Sequence, residues 1–187
     1  MSLWAQTSGT VVNVLAVLLG SVLGLALRRR LPGASLAYAC DNAMLPYGQR
    51  DQAWLVQRIR AVCETAVATS GCSALVVACN TASTLALDVL RGCLAVPVVG
   101  TVPAIKPAAR VSRTRHIGLL ATSATVSGAY TLQLIQDFAA DCRVMRVAAD
   151  ALVTEVERLV AGEVPDQAVV RKALAPLWDD PQLDAVV

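Results

Sequence analysis

Charged residues make up only 16% of the 187-residue chain and aromatics only 4%, whereas an average soluble domain is roughly 25% charged. With 56% hydrophobic residues, this scarcity of charge excludes intrinsic disorder, because such a chain has ample apolar surface to bury. The shortage of aromatics leaves Ala, Val and Leu as the core formers, as expected for strands buried on both faces under helices. A net charge of +2 lacks the basic excess of a nucleic-acid-binding surface. Arg28 to Arg30 and Arg110 to Arg115 are short clusters on solvated faces. One histidine and the lack of any CxxC pair exclude a zinc site of ordinary spacing. No GxGxxG or P-loop sequence occurs, which argues against a nucleotide-binding fold. The six cysteines read as reduced thiols of a cytoplasmic protein.

Also lacking is any Lys or Arg within Met1 to Thr10, the basic region that a secretory signal needs. The seventeen residues Val11 to Leu27 carry no charge, and about 17 is the lower limit for a membrane span. Two readings stay open. The favoured one is a soluble chain in which a buried strand and turn run into a helix ending at Leu31-Pro32-Gly33. The other is a membrane-associated protein anchored by this stretch.

From Ser35 onward, short apolar runs alternate with helical patterns, the sign of βαβ units and a parallel sheet. Strands are predicted at Ser35 to Ala39, Ala74 to Ala78, Pro97 to Val99, Ile117 to Ala121, Val144 to Val147 and Ala185 to Val187. Helices are predicted over Arg50 to Ser70, Thr81 to Arg91, Ser127 to Ala140, Ala151 to Leu159 and Gln167 to Leu177. Gly71 stands where a C-cap belongs. Pro103 and Pro107 interrupt the pattern, so the expected division is a first α/β domain over 1–99 and a second over 100–187, the second incomplete.

The segment Ala78-Cys79-Asn80-Thr81-Ala82-Ser83 carries the most chemistry. A buried strand runs directly into Cys79 and a helix begins just after it, which is where open α/β sheets bind ligands. A helix N-terminus is expected to lower the thiol's pKa, and its free N–H groups can hold a carboxylate. Cys79 could equally fill space while Asn80 or Thr81 caps the helix. Thr122-Ser123-Ala124-Thr125 repeats the arrangement with hydroxyls, which would also serve as ordinary caps. Asp41-Asn42-Ala43-Met44-Leu45-Pro46-Tyr47-Gly48 follows another strand, and its Pro46 and Gly48 mark a turn presenting Tyr47. The lone His116 opens a strand and reads as a surface residue.

Taken in order with Pro97 to Gly100 and Pro103 to Ala108, these motifs resemble glutamate racemase across roughly residues 28 to 187. The resemblance implies two similar α/β domains with parallel sheets flanked by helices. It implies an isomerase that needs no cofactor and no metal. In that family two cysteines, one from each domain, flank the α-carbon of glutamate, one taking a proton and the other returning one. The product D-glutamate supplies peptidoglycan and so cell-wall biogenesis and cell shape. By residue, Cys79 matches the first-domain cysteine and Asn80 and Thr81 the substrate-binding pair beside it. Pro46, Tyr47 and Gly48 match the substrate-side loop, and Thr122 and Thr125 the second-domain hydroxyls. Glu157 matches a glutamate near the second cysteine. Glutamate is the implied small-molecule partner, with no nucleic acid, no membrane and a homodimer as the implied association.

Two departures stand out. The family's first strand ends in Asp-Ser-Gly, whose Asp assists the cysteine; here Thr7-Ser8-Gly9 is the nearest match, with Ser8 as the substrate-binding counterpart. The family's second cysteine follows a strand like Asp184 to Val187, and none follows here. The second domain therefore reads as cut off, and this exact chain is expected to fall short of racemisation. An inactive or regulatory truncated homologue is the alternative.

Overall fold

The computed structural model describes residues 10–15, 17–44, 47 and 50–187, with backbone alone at 10–15, 17–22 and 42. The chain divides into two compact units, one ending at Val102 and the other beginning at Pro103.

In the first unit, strands β1 (Thr10–Leu15), β2 (Ser35–Cys40), β3 (Ala74–Ala78) and β4 (Val98–Gly100) form a parallel sheet of order β2-β1-β3-β4. Helix α1 (Val17–Arg30) joins β1 to β2, α2 (Gln52–Ser70) joins β2 to β3, and α3 (Asn80–Cys93) joins β3 to β4. All five residues of β3 are buried, as its uninterrupted apolar run and interior position require. Leu55, Ile59 and Cys63 of α2 and Ala86, Leu87 and Leu90 of α3 complete the core. Complete burial of Leu55 or Ile59 stabilises by about 1.5–3 kcal/mol.

Local chemistry sets the ends of α2. Asp51 accepts from the Trp54 N–H at 2.9 Å, satisfying an otherwise orphaned donor. At the other end Gly71 takes a φ of 59° and returns its N–H to Val67, a conformation that favours glycine. The uncharged stretch from Val11 is strand β1 followed by helix α1, and among the described residues no helix is long and apolar enough to cross a membrane.

In the second unit, β5 (His116–Ala121), β6 (Arg143–Ala148) and β7 (Ala185–Val186) form a parallel sheet of order β6-β5-β7. Its helices are α4 (Ile105–Val111), α5 (Ser123–Ser127), α6 (Ala129–Phe138), α7 (Asp150–Val160) and α8 (Gln167–Trp178). Ile105, Ala108 and Ala109 of α4 pack with Ile117, Leu119 and Val126.

Three sequence expectations are corrected here. Pro107 does not interrupt regular structure. It lies in the first turn of α4, where its missing N–H would have had no intrahelical partner. The helix expected over Ser127 to Ala140 runs from Ala129 to Phe138, and Gly128, whose backbone is extended, parts it from a short helix that ends at Ser127. A Cβ at Gly128 would lie 2.9 Å from the Ala124 carbonyl oxygen. His116 is 2% exposed, not a surface residue: Asp180, beyond α8, folds over it with Oδ1 3.6 Å from Nδ1.

Candidate active site

The sheet register aligns the carboxyl ends of three strands. Leu15 of β1 pairs with Cys40 of β2 and with Ala78 of β3. Asp41 and Cys79, each one residue further on, therefore emerge at the same edge, two strand spacings or about 10 Å apart. This edge is where open parallel sheets place their ligands.

Cys79 is the N-cap of α3, with extended backbone at φ −140° and ψ 121°. Burial pushes its thiol up, with the backbone N–H groups of Ala82 and Thr81 at the start of α3 favouring the anion in opposition. The upward direction corrects the expectation of a lowered value. The helix terminus acts as anticipated, but removing the thiolate from water outweighs it. Asn80 is exposed at the start of α3, and Thr81 is buried. One turn on, fully buried Ser83 donates to the Val77 carbonyl and accepts from the Thr101 N–H, both at 3.1 Å. These bonds tie the helix to the strand ends on either side of it.

Beside Cys79 lies a cluster that sequence reasoning only touched. Buried Tyr47 donates its hydroxyl to Asp41 Oδ2 at 2.7 Å. Arg58 of α2 grips the same carboxylate with a two-pronged fork, Nε to Oδ2 at 2.8 Å and Nη2 to Oδ1 at 2.6 Å. The guanidinium holds the Asp41 carboxyl below the usual carboxylate range, with burial opposing and the Tyr47 hydroxyl assisting. Burial pushes the Tyr47 phenol well up, and its bond to Asp41 and the charges of Asp41 and Cys79 act in the same direction. Tyr47 is therefore a neutral donor. Arg58 gave no sequence signal beyond its place on α2, since its partner is seventeen residues away. Pro46, Gly48 and Ser8 lie outside the described residues. The strand that the resemblance expects to end near Ser8 runs instead from Thr10 to Leu15. The β1 position in register with Ala78 is thus Leu15, and no carboxylate occurs between Val11 and Leu27.

The second unit repeats the arrangement at the carboxyl end of β5. Thr122 caps α5 and donates its hydroxyl to Thr125 Oγ1 at 3.1 Å. Thr125 is 1% exposed. Ser123 donates its backbone N–H to Asp150 Oδ1 at 3.0 Å and its hydroxyl to the other carboxylate oxygen. Asp150 opens α7, and the sequence reading did not single it out. Glu157 is exposed on α7 two turns further on, away from this edge. The buried carboxylate of that helix is Glu155, which accepts from the Asp166 N–H at 2.6 Å and from Arg158 at 3.3 Å. The unit's cysteine, Cys142, immediately precedes β6 and so stands at the sheet's opposite, amino edge. Among the described residues, no group of three or more His, Cys, Asp or Glu side chains is placed to hold a metal ion.

Fold and site together define an α/β protein of two parallel-sheet units with a thiol-centred candidate active site at a strand end. The family model for Asp/Glu/Hydantoin racemase matches residues 21–187, and the chain belongs to that family. It is 48% identical over 152 residues to a glutamate racemase of Shewanella loihica, covering 81% of this chain and 57% of that protein. To a glutamate racemase of Pasteurella multocida it is 42% identical over 160 residues, covering 86% and 60%. The crystal structure of Escherichia coli glutamate racemase, with L-glutamate and the activator UDP-MurNAc-Ala, superposes with a TM-score of 0.82 at 36% identity. That match covers 93% of this chain and 65% of the other. Thermus thermophilus glutamate racemase gives a TM-score of 0.69 at 31% identity, covering 93% and 63%. The chain thus spans 57–60% of the length of the curated relatives named here.

Proposed function

We propose that this chain acts as an isomerase in the cofactor-independent racemisation of glutamate, with Cys79 as the proton-transferring thiol on one face of the substrate. The observation that carries this reading is the place of Cys79, at the end of the fully buried interior strand β3 and at the N-cap of α3. The α-proton of an amino acid is weakly acidic, so its removal without a cofactor calls for a strong base. A thiolate that burial has made harder to form is correspondingly more basic, and the positive end of α3 keeps it within reach. The incipient carbanion draws charge onto the substrate carboxylate, where fixed donors stabilise it best. Asn80 and Thr81 at the first turn of α3, together with neutral Tyr47, are assigned to that task. The family likeness adds Pro46, Gly48, Ser8, Thr122 and Thr125 as substrate contacts and Glu157 as a second-unit carboxylate. Supply of D-glutamate for peptidoglycan and thereby cell shape, a cytoplasmic setting and a homodimeric state belong to the same proposal.

Incubating the purified chain with L-glutamate in deuterated water, and following the α-proton by NMR and the enantiomers by chiral chromatography, tests the assignment. Exchange of the α-proton should depend on Cys79, and Cys79→Ala should slow it by about 10²–10⁴, the usual contribution of a general base. Inversion additionally requires an acid on the opposite face of the α-carbon. Equal exchange in the parent and in Cys79→Ala would remove the thiol from the mechanism.

A further inference from the structure

We propose that the turn between α4 and β5 is a binding site for a carboxylate, and that the chain fills it with its own Asp184 to latch residues 180–187 onto the second sheet. Three successive residues of the turn converge on that side chain. The Ser112 hydroxyl donates to Asp184 Oδ1 at 2.6 Å, and the N–H groups of Arg113 and Thr114 both donate to Oδ2, at 2.7 and 3.0 Å. Consecutive backbone N–H groups aimed at one point form an anion-binding concavity, and the buried serine adds a third donor. The Asp184 carboxyl is held well below the usual carboxylate range, by the Ser112 hydroxyl most and the Thr114 N–H next, with desolvation opposing.

The cradle is built without Asp184. The Ser112 N–H returns to the Ala108 carbonyl at 2.9 Å as the C-cap of α4, the His116 N–H reaches Thr114 Oγ1 at 3.2 Å, and the Arg143 N–H reaches the Arg115 carbonyl at 2.8 Å. Arg115 takes a positive φ of 59°, which residues other than glycine hold only with support. Its guanidinium supplies that support by donating to the Ala109 carbonyl and to Asp141. A receptor organised in advance loses little order when it takes its anion. The anion arrives on a segment that needs holding. Residues 180–187 return to the sheet as its edge strand β7, with the Asp184 N–H on the His116 carbonyl at a long 3.3 Å. Beyond it the Val187 N–H meets the Gly118 carbonyl at 2.8 Å, and the Leu120 N–H meets the Val187 carbonyl at 2.9 Å. The same segment covers His116 with Asp180 and lays Leu183 so close on Gly118 that a Cβ there would lie 3.3 Å from its Cδ2. The latch therefore seals the amino end of β5 and secures the pairing of that strand two residues before Thr122. Because Asp184 is solvent-exposed, removing its side chain opens the cradle to anions from solution.

Hydrogen–deuterium exchange of single amides, followed by NMR on the full chain, reads the latch through the Leu120 and Val187 N–H groups that join β5 to β7. Labelling of His116, the sole histidine, by diethyl pyrocarbonate reads its cover. In Asp184→Ala both amides should exchange about tenfold faster, the low end for charge-assisted bonds because the carboxylate is exposed, and His116 should be labelled faster. Formate should reverse part of both changes, whereas chloride at equal ionic strength should not. The Ala149 N–H, which bonds the Ala121 carbonyl on the β6 side, should keep its rate. Unchanged exchange at Leu120 and Val187 would overturn the latch, as would an equal rise at Ala149, the sign of general loosening. Formate that acts no better than chloride would overturn the carboxylate site. If Asp184→Ala does not fold, Ser112→Ala carries the test, since it removes one donor and keeps the carboxylate. Its Leu120 and Val187 amides should exchange faster by a smaller factor, and unchanged rates there overturn the latch equally.

Discussion

Replacing Ser83 by alanine removes two hydrogen bonds that seat α3, the helix that Cys79 precedes as its N-cap, and the structure fixes how much that should cost. The Ser83 hydroxyl donates to the Val77 carbonyl and accepts from the Thr101 N–H, each at 3.1 Å. Neither partner is orphaned by the change, because Thr101 also donates its N–H to Val77 at 3.0 Å and its hydroxyl to the same oxygen at 3.3 Å. The large penalty for a stranded buried polar group therefore does not apply, leaving only the net worth of two bonds. At about 0.5–1.5 kcal/mol each, and at the long end of the normal range, they sum to about 1–2 kcal/mol. Urea unfolding in a Trp178→Phe background reads the first unit, since the remaining Trp4 and Trp54 both precede Val102. With a urea dependence of about 1–3 kcal/mol per molar, the midpoint should fall by about 0.3–2 M. An unchanged midpoint would refute the claim that these bonds seat the helix. A loss well above about 3 kcal/mol would refute the claim that Thr101 and Val77 keep adequate partners.

Gly100→Ala should disturb the same contact from the β4 side, because the new Cβ would lie 2.4 Å from Leu87 Cδ1 and 2.8 Å from Ser83 Oγ. An overpacking cost of about 1–3 kcal/mol is expected in the same urea assay, and a neutral result would mean that Leu87 has room to swing aside. Burial pushes the Cys63 thiol up to about 12 from an ordinary 9.0, so this thiol should resist alkylation at mildly alkaline pH while exposed Cys93 reacts. A folded value raised above the unfolded one gives stability that is complete below 9.0 and lost as pH rises toward 12. Unfolding midpoints should therefore decline over that interval, and more gently in Cys63→Ala; an equal decline in both would exclude Cys63 as a cause.

The readable parts of the sequence were those whose physics is local. Five consecutive apolar residues ending at a small polar cluster identify β3 and place Cys79 at its end. Gly71 marks the stop of α2 because few other residues tolerate a positive φ. The thiol's pKa was not readable in the same way. A helix N-terminus is a local feature that favours the anion, whereas desolvation sums over every atom packed around the sulfur, and here the sum prevails. The fork of Arg58 on Asp41 joins residues from two elements, and nothing in the spacing of either segment announces it. The burial of His116 likewise involves Asp180, which the chain brings back only after four more helices and a strand.

The carboxylates of α7 show how narrow the limit is. Glu155 and Glu157 stand two positions apart, and at 3.6 residues per turn that separation is about 200° around the helix axis, so the two side chains point to nearly opposite faces. A shift of two residues along α7 therefore exchanges a buried carboxylate that receives the Asp166 N–H for an exposed one. Glu155 is engaged in tying α7 to the start of α8, and Glu157 lies two turns from the edge that carries Thr122, Thr125 and Asp150. The carboxylate that reaches that edge in this unit is Asp150, which the strand end of β6 delivers and which Ser123 orients through two hydrogen bonds. Position at a strand end, rather than distance along the sequence, selects the side chains with access to a parallel sheet's carboxyl edge.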